Sequence, residues 1–220
     1  MGIVQWRLRD SREEPASTPV PAGEISVVER QEQGEGLEWE TLRQTVAACM
    51  RCELHATRIQ TVFGVGNRQA EWMFVGEAPG GEEDRKGEPF VGRAGKLLDA
   101  MLAAVGKTRE EVFIANVLKC RPPNNRDPLG EEVKQCEGYL HAQIGMVKPK
   151  LLIALGRFAA QSLLKSTRPI GKLRGEVFEH AETQIPLIVT YHPAYLLRNP
   201  IDKRKAWQDL CLIKRVSEYK

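Results

Sequence analysis

The sequence predicts an α/β protein in which a parallel sheet is covered by helices on both faces. Four short apolar runs alternate along the chain with segments whose apolar residues recur at helical spacing, and this alternation is typical of parallel sheets. The 220 residues include 42% hydrophobic and 28% charged residues, a composition that excludes a disordered chain or a collagen. The longest uncharged apolar run, Leu151 to Gly156, is far shorter than the roughly 20 residues of a membrane-spanning helix, so we expect no membrane partner.

The chain begins with a segment, residues 1–37, that we expect to be a disordered acidic leader or linker. It contains three prolines and shows no sustained periodicity. In residues 1–40, nine acidic residues stand against four arginines, whereas the remaining 180 residues carry 28 basic and 20 acidic residues. The basic body suits a polyanionic partner such as a nucleic acid. A small apolar cluster that includes Trp6 is either a loosely packed terminus or a tag for a protein partner.

The helices and strands predicted from the rest of the sequence follow in order. A helix begins near residue 38 and continues through Cys52. Apolar runs predict strands over 72–75, 112–115, 151–155 and within 185–190. Apolar residues at helical spacing predict helices over 97–105, 133–147 and 158–164, and a basic helix from about residue 202. Gly106 ends the first of these three, as glycines do at helix C-termini.

Glycines or polar residues follow each predicted strand. The first strand is followed by residues 76–80 (Gly-Glu-Ala-Pro-Gly), the second by Asn116, the third by Gly156 and Arg157, and the fourth by His192. Ligands of parallel α/β sheets bind beyond the carboxyl ends of the strands. The sequence therefore predicts a binding site at this edge of the sheet, with Asn116 and His192 among its side chains.

Four of the five cysteines form a pattern that predicts metal coordination. Cys49 and Cys52 form a CxxC pair, Cys120 follows the second strand and Cys136 lies on the next helix. Four thiolates suit either Zn²⁺ or an iron–sulfur cluster, and the wide spacing of the second pair favours [4Fe–4S] over a zinc ribbon. Cys136 also fits the apolar stripe of its helix, where a buried free thiol is the alternative. We expect Cys211 to be an ordinary residue of the last helix.

Three motifs, which follow one another in the same order along the chain, resemble those of the family-4 uracil-DNA glycosylases. The first comprises residues 76–80 and 89–95 (Pro-Phe-Val-Gly-Arg-Ala-Gly), the second residues 116–126 (Asn-Val-Leu-Lys-Cys-Arg-Pro-Pro-Asn-Asn-Arg) and the third residues 192–198 (His-Pro-Ala-Tyr-Leu-Leu-Arg). The four cysteines Cys49, Cys52, Cys120 and Cys136 stand where this family holds a [4Fe–4S] cluster. The resemblance covers about residues 40–215, so we expect one glycosylase domain over residues 38–220.

The resemblance implies a three-layer α/β/α sandwich around a central, mostly parallel four-stranded sheet. It also implies an enzyme that removes uracil from DNA and leaves an abasic site, which initiates base excision repair. A base inside a duplex must be flipped out before it can be reached. The implied cofactor is the [4Fe–4S] cluster, and the implied partner is single- or double-stranded DNA that contains uracil. We expect a monomer.

The resemblance assigns uracil binding to five residues. They are Gly76, Ala78, Phe90, Asn116 and His192. Phe90 stacks on the flipped pyrimidine in this assignment. The Asn116 amide can accept a hydrogen bond from uracil N3–H and donate one to O4, whereas cytosine presents the opposite pattern and leaves both groups unpaired. His192 faces uracil O2, where a hydrogen-bond donor stabilises the negative charge that develops as the glycosidic bond breaks.

The catalytic residues implied by the resemblance are Glu77, Asn125 and His192. Glu77 and Asn125 help to position the attacking water or to stabilise the electropositive sugar. Other branches of the superfamily carry an aspartate or an asparagine in the first motif, and Glu77 is one methylene longer than an aspartate. In the acidic run of residues 82–84, Glu83 or Asp84 is a candidate for crowding the pyrimidine C5 position and excluding thymine.

Candidate DNA contacts lie in the same motifs. The basic candidates for phosphate contacts are Arg93, Lys119, Arg121, Arg126 and Arg198. Leu196 and Leu197 are candidates for an apolar wedge that fills the space of the flipped base. One related branch captures DNA covalently through a histidine in an inserted loop, but residues 121–130 contain no histidine. No lysine stands at a Schiff-base position, so we expect a monofunctional enzyme.

Two other classes of function provide alternatives. A non-catalytic iron–sulfur module, attached to a polymerase or repair assembly through the leader, would bind DNA without making abasic sites; it would not need residues 76–80, Asn116 and His192 together. Electron-transfer ferredoxins use compact cysteine runs, whereas these four cysteines spread from residue 49 to residue 136. The N-terminus shows no secretory signal, which predicts a reduced, cytoplasmic protein associated with the nucleoid.

Overall fold

The computed structural model describes residues 38–218, which are built around a six-stranded sheet. The strands are β1 (Val65–Gly66), β2 (Trp72–Gly76), β3 (Phe113–Asn116), β4 (Leu151–Leu155), β5 (Val177–Glu179) and β6 (Pro186–Thr190). Their spatial order is β1-β3-β2-β4-β6-β5. The four central strands are parallel, and the two edge strands pair antiparallel. The predicted leader, residues 1–37, lies outside the described residues.

Helices precede, connect and follow these strands. They are α1, whose described part covers 38–47, α2 (Gly81–Lys86), α3 (Arg93–Ala104), α4 (Gly130–Val147), α5 (Arg157–Leu164), α6 (Pro193–Arg198) and α7 (Lys203–Glu218). Short 3₁₀ helices occur at Glu53–Ala56, Pro123–Asn125, Ile170–Lys172 and Pro200–Asp202. At the start of α4, the Glu132 carboxylate accepts a hydrogen bond from the N–H of Leu129 at 2.9 Å, which satisfies a donor that a helix start leaves free. None of the described helices combines the length and the apolar character that crossing a bilayer requires.

The predicted α/β class and the four parallel strands are confirmed, but the sheet has six strands and not four. β1 and β5 contain two and three residues, none of them buried, so neither edge strand produces the apolar run by which the other strands were predicted. The end of the first helix was also predicted wrongly. α1 ends at residue 47, and Cys49 and Cys52 lie in the irregular segment between α1 and the first 3₁₀ helix.

Two apolar clusters, one on each face of the sheet, produce the three layers. Successive side chains of a strand point to opposite faces. In β2, Met73 and Val75 accordingly belong to one cluster, and Trp72 and Phe74 to the other. The first cluster includes residues of α1, α4 and α5, and the second includes residues of α3, α6 and α7. Helices thus cover both faces, as the predicted three-layer sandwich requires.

The carboxyl ends of the parallel strands bring the three motifs to one edge of the sheet. Gly76 and Asn116 are register partners at the ends of β2 and β3. The N–H of Gly156, directly after β4, donates to the carbonyl of Thr190 at the end of β6 at 2.8 Å. Residues that are 40 to 116 positions from Gly76 in the sequence therefore meet at this edge.

Candidate active site

Asn116 and Gly76 lie side by side at the carboxyl edge of the sheet, and together with Phe90 and His192 they form the predicted uracil pocket. Asn116 is buried, and its Oδ1 makes no hydrogen bond with any of the described residues. A Cβ atom on Gly76 would lie 2.3 Å from this oxygen and 2.6 Å from Cζ of Phe90, so a side chain at residue 76 would close the space between them. An unpaired buried acceptor costs free energy. The Asn116 amide is thus arranged to receive a donor from a ligand.

The Phe90 ring is held by a strained and well-anchored loop. The backbone φ of Phe90 is 54°, a conformation that bulky residues rarely adopt. Glu83 Oε1 accepts hydrogen bonds from the N–H groups of residues 91–92, both at 3.0 Å. The Arg109 guanidinium donates to the carbonyls of residues 89–90 at 2.7 and 3.2 Å. These contacts fix the ring beside Asn116 without help from a ligand.

The His192 imidazole lies against the Phe90 ring, with the ring centroids 5.4 Å apart. Gly156 has a φ of +95°, and a Cβ atom there would lie 2.9 Å from Cβ of His192. Nδ1 of His192 accepts a hydrogen bond from the N–H of Ala194 at 3.1 Å and so caps α6. Because Nδ1 is an acceptor, the neutral ring carries its proton on Nε2. Burial lowers the pKa of His192 to about 4, so the ring is a neutral Nε2–H donor at physiological pH.

Glu77 follows β2 and is partly buried. Burial and, to a smaller extent, the negative charge of Asp127 raise the pKa of its carboxyl group to about 7, although the positive charges of Arg157 and Arg198 oppose the shift. Arg157 itself pairs with Asp127 at 3.0 Å. A carboxyl group with a pKa near neutrality at the edge of a pocket is typical of a catalytic group.

The loop of the second motif brings Asn125 and Arg121 next to the first motif. Asn124 and Asn125 have left-handed conformations, with φ of 54° and 53°. Arg121 Nε donates to Oδ1 of Asn125 at 2.8 Å. The Arg121 guanidinium also lies within 3.5 Å of the position that a Cβ atom on Gly81 would occupy. Asn125 is exposed, so its amide remains accessible from the surface of the protein.

The four cysteines predicted as metal ligands line a single cavity on the side of α1 and α4. They are Cys49, Cys52, Cys120 and Cys136. Cys120 Sγ accepts a hydrogen bond from Nη1 of Arg58 at 3.0 Å, and Cys136 Sγ accepts one from the N–H of Lys119 at 3.2 Å. Burial raises the pKa of Cys136 to about 11, so a bound metal must displace the proton of this thiol. Within residues 38–218, no three cysteine, histidine or acidic side chains are grouped to hold a single metal ion.

Comparison with known proteins decides the family of the chain. Residues 63–211 match the model of the Uracil DNA glycosylase superfamily. The chain belongs to this superfamily. It is 50% identical over 161 residues to the type-4 uracil-DNA glycosylase of Archaeoglobus fulgidus, an alignment that covers 70% of this chain and 81% of that protein. The type-4 enzyme of Sulfurisphaera tokodaii is 42% identical over 185 residues, which are 81% of this chain and 84% of that enzyme.

A third relative is matched over nearly the whole of its own length. The type-4 uracil-DNA glycosylase of Pyrobaculum aerophilum is 42% identical over 182 residues, which are 80% of this chain and 93% of that protein. These relatives place the chain in the type-4 branch of the superfamily. The predicted family and the predicted activity, uracil-DNA glycosylase, a hydrolase acting on N-glycosyl bonds, are thereby confirmed.

The structure of this uracil-DNA glycosylase brings together most of the residues predicted to bind uracil. Gly76, Phe90, Asn116 and His192 form one group. Ala78 differs, because it is partly buried and packs against the apolar cluster on the side of α1, α4 and α5. The roles of all five residues in binding uracil stay predictions.

Asp84 does not face the pocket, and this part of the thymine-exclusion hypothesis is wrong. Its side chain is buried, and Oδ1 accepts hydrogen bonds from the N–H groups of Ile59 and Gln60 at 3.0 and 3.4 Å. Asp84 therefore anchors the loop that follows the cysteine pair. Glu83 holds the loop after Phe90, and it remains the candidate for a position near pyrimidine C5.

Lys119 is not a DNA contact, contrary to the prediction from the second motif. The residue is 1% exposed, and its Nζ donates to the carbonyl of Asn116 at 2.8 Å and to Oε1 of Gln143 at 2.6 Å. A buried ammonium group that is already hydrogen-bonded cannot reach a phosphate. Gln143 in turn donates to the carbonyl of Phe63 at 2.9 Å. Lys119 therefore supports the strand end that carries Asn116.

The prediction that Leu196 is a wedge residue is likewise wrong, because its side chain is 1% exposed and belongs to the core beneath α6. Its neighbour Leu197 is partly exposed and remains the wedge candidate.

Arg126 makes two hydrogen bonds to the carboxylate of Glu132, at 2.9 and 2.5 Å, so its charge is already neutralised by a close partner. Its contact with a phosphate stays a prediction.

The sequence patterns missed three residues that organise the site. Arg109 anchors the Phe90 loop from a segment without any motif, so no sequence signal identifies it. Asp127 follows the second motif directly and acts on Glu77 only through space. Arg157 follows a strand end, which is where ligands of parallel sheets bind. The sequence therefore indicates a functional position for Arg157, but it does not identify Asp127 as its partner.

Proposed function

We propose that this uracil-DNA glycosylase binds flipped uracil between Phe90, Asn116 and His192 and hydrolyses the N-glycosidic bond to leave an abasic site. The buried, unpartnered Oδ1 of Asn116 beside a neutral histidine donor supports this proposal best. The asparagine oxygen matches uracil N3–H, and the amide NH₂ matches O4. Cytosine, with an acceptor at N3 and a donor at N4, would meet like groups at both positions and be rejected.

His192 supplies the electrostatic part of catalysis in this proposal. Breaking the glycosidic bond moves negative charge onto the uracil ring. The Nε2–H of His192, directed at O2, would stabilise that charge without transferring a proton, because the ring is neutral and its Nδ1 is engaged by Ala194. The Phe90 ring supports both the uracil and the imidazole by stacking.

Glu77 and Asn125 are proposed to act on the other side of the scissile bond. An ionised Glu77 can hold the attacking water and stabilise the positive charge that develops on the sugar. Asn125 is fixed by Arg121 at 2.8 Å and can orient the same water. Arg121 itself, with Arg93 and Arg198, remains a candidate for phosphate contacts, because all three are at least partly exposed.

The pH dependence of excision is expected to follow Glu77. The pKa of about 7 means that the carboxylate is lost as the pH falls through neutrality. We expect kcat/KM for uracil excision to fall on the acid side with an apparent pKa near 7. Glu77→Gln should lower kcat/KM and remove this pH dependence. The measurement is single-turnover excision between pH 5.5 and 8.5, where His192 with its pKa of about 4 does not titrate.

Thermal unfolding provides the control for Glu77. A carboxyl group whose pKa is higher in the folded protein than in the unfolded chain destabilises the folded state as the pH rises from the unfolded-state pKa towards 7. The reason is that the group ionises first in the unfolded chain. Glu77→Gln is therefore expected to raise the melting temperature relative to the wild type at pH 8 and not at pH 4. A wild-type kcat/KM that is flat from pH 5.5 to 8.5 would contradict the assignment.

The four cysteines are proposed to hold a [4Fe–4S] cluster. In a cubane cluster each thiolate binds a different iron, so the sulfurs need not converge on a single point as they do around Zn²⁺. The cavity fits this group chemically, because the thiols accept hydrogen bonds from Arg58 and Lys119 and basic side chains line it. When bound, the cluster would cross-link the segment after α1 to the second-motif loop and α4, as structural metals do.

Arg58 is expected to retain the cluster. Its guanidinium donates to Cys120 Sγ at 3.0 Å and to the carbonyl of Ala47 at 3.2 Å, so it joins the end of α1 to a ligand. Arg58→Met should speed the loss of visible absorbance in the presence of a chelator by about tenfold, the effect typical of residues that support metal ligands. Arg43→Met, in the exposed part of α1, is the matched control. Equal rates of loss for both variants would refute the role of Arg58.

A strand-cleavage assay tests the proposed function. An end-labelled oligonucleotide with one uracil is incubated with the protein and then treated with hot alkali. A break at the uracil, absent with thymine or cytosine in its place, is the expected result. DNA binding without a break, in protein whose cluster is present by its visible absorbance, would support the non-catalytic binding module instead.

The remaining features of the proposal concern assembly and location. We propose that the enzyme is a monomer. We propose that the enzyme acts on single- or double-stranded DNA in the cytoplasm, at the nucleoid. A protein partner is proposed only for the acidic segment 1–37, which lies outside the described residues.

A further inference from the structure

Helix α7 has one face that no described part of the protein covers. Its buried face comprises Ala206, Asp209, Leu210 and Ile213. On the opposite face Arg204, Trp207, Cys211 and Arg215 recur at helical spacing and are exposed. Trp207 is 51% exposed. A single exposed apolar side chain is common on proteins. Trp207 differs because it lies near the predicted uracil pocket and beside basic residues that are unpaired within the described part of the chain.

The first turn of α7 lies at the same edge of the sheet as the uracil pocket. The last turns of α7, residues 216–217, share a cavity with the first residues of β2 and β4, so α7 runs antiparallel to these strands. Asp209 Oδ2 accepts a hydrogen bond from the hydroxyl of Thr190 at 2.8 Å, at the end of β6. Arg204, five residues earlier, therefore lies roughly 7 Å beyond this strand end.

A chain of side-chain contacts joins this turn to His192. Tyr195 OH donates to Asp202 Oδ2 at 2.6 Å, and Asp202 also pairs with Lys205 at 2.8 Å. The ring of Tyr195 stacks on that of Tyr191, with centroids 4.9 Å apart, and Tyr191 directly precedes His192. The start of α7 is thus fixed relative to the catalytic histidine.

The exposed surface of this turn is positive and partly apolar. Lys203 and Arg204 are exposed and make no ion pair with the described residues, and Arg198 is exposed nearby on α6. The acidic residues of the region, Asp202 and Asp209, are buried and paired. Ile201, between α6 and α7, is 87% exposed. Two free cations beside an exposed indole match a nucleic-acid strand, in which phosphates alternate with flat bases.

We propose that Lys203, Arg204 and Trp207 bind an unpaired stretch of DNA next to the flipped uracil, with Trp207 stacked on one of its bases. This inference rests on the proposed function and deepens it, because it names the surface that would hold unpaired DNA beside the flipped uracil. Stacking on Trp207 requires a free base face, and a base within a duplex has both faces covered by its neighbours. Duplex DNA would use the cations of this surface but not the indole.

The test compares Trp207→Ala with the wild type on uracil in a single-stranded oligonucleotide and in a duplex. We expect kcat/KM on the single strand to fall about tenfold, the effect of one lost base–aromatic stack, with kcat nearly unchanged and a much smaller loss on the duplex. Trp207→Phe should retain most of the wild-type kcat/KM, because it keeps an aromatic face. Melting temperatures of the variants establish that they are folded.

Arg204→Ala and Arg215→Ala form a matched pair for the charge. Both remove one arginine from the same face of α7, but the two residues are separated by roughly 16 Å along the helix. Arg204→Ala should make the plot of log affinity for single strands against log salt concentration less steep, by the amount of about one phosphate contact. Arg215→Ala should leave this slope unchanged. Equal effects of the two variants would show that the location of the charge is irrelevant and would overturn the proposal.

Four further results would separate the possibilities. An unchanged kcat/KM for Trp207→Ala on single strands, or equal losses on single strand and duplex, overturns the stacking proposal while the glycosylase function stands. Wild-type protein that makes no abasic site refutes the proposed function instead. In that case the affinities of wild type and Trp207→Ala for an oligothymidylate still test the surface, and equal affinities overturn the stacking proposal.

Discussion

Asn116→Leu is expected to lower kcat/KM for uracil excision by about 10⁴, because it removes both hydrogen bonds that distinguish uracil from cytosine. Leucine has nearly the shape of asparagine, so the pocket between Gly76 and Phe90 remains filled. The flipped uracil would then bury N3–H and O4 without partners. The change should not permit excision of cytosine, since an apolar side chain satisfies neither base. Excision rates on matched uracil, cytosine and thymine oligonucleotides measure the effect.

A matched substitution separates this effect from general damage. Asn67→Leu makes the same chemical change at the opposite edge of the sheet, where Asn67 only closes a turn through a hydrogen bond with Gln69 at 2.8 Å, and it should leave excision unchanged. The affinity of Asn116→Leu for DNA should remain within a few-fold of the wild type, because phosphate contacts dominate it. Excision by Asn116→Leu within tenfold of the wild-type rate would show that Asn116 does not read uracil.

His192→Ala is expected to lower kcat by about 10² to 10³, the usual effect of removing one donor to a developing negative charge. This loss should be independent of pH between 5.5 and 8.5, because burial lowers the pKa of His192 to about 4 and the active ring is neutral throughout. A general-acid role would instead require a proton on Nδ1, which accepts from Ala194. The decisive measurement is single-turnover excision with saturating enzyme.

The capping role of His192 requires its own control. His192→Ala also removes the acceptor at the start of α6, a loss of about 1 kcal/mol of stability. Asparagine at this position can accept from Ala194 as histidine does, but it is too short to reach the uracil. His192→Asn should therefore unfold near the wild-type temperature and still lose excision. Recovery of excision in His192→Asn would mean that His192 matters only as a cap.

The sequence was sufficient for the class of the fold and for the principal residues of the pocket. The central strands are short, apolar and separated by helical patterns, so parallel pairing follows from the alternation alone. The residues after parallel strands meet at one edge, which made Asn116 and His192 candidates before their contacts were known. The edge strands β1 and β5 carry no such pattern, because their residues are exposed or half-buried.

Only the tertiary structure decided which members of a motif reach the surface and which face the core. Lys119 and Arg121 stand two residues apart, yet Lys119 is buried against Asn116 and Gln143 whereas Arg121 reaches the surface beside Asn125. Leu196 and Leu197 are adjacent, and the turn of α6 buries one and exposes the other. The raised pKa of Glu77 depends on burial and on Asp127, which lies 50 residues away in the sequence. Burial, direction and charge environment arise from packing between distant segments, so a local pattern of residues cannot specify them.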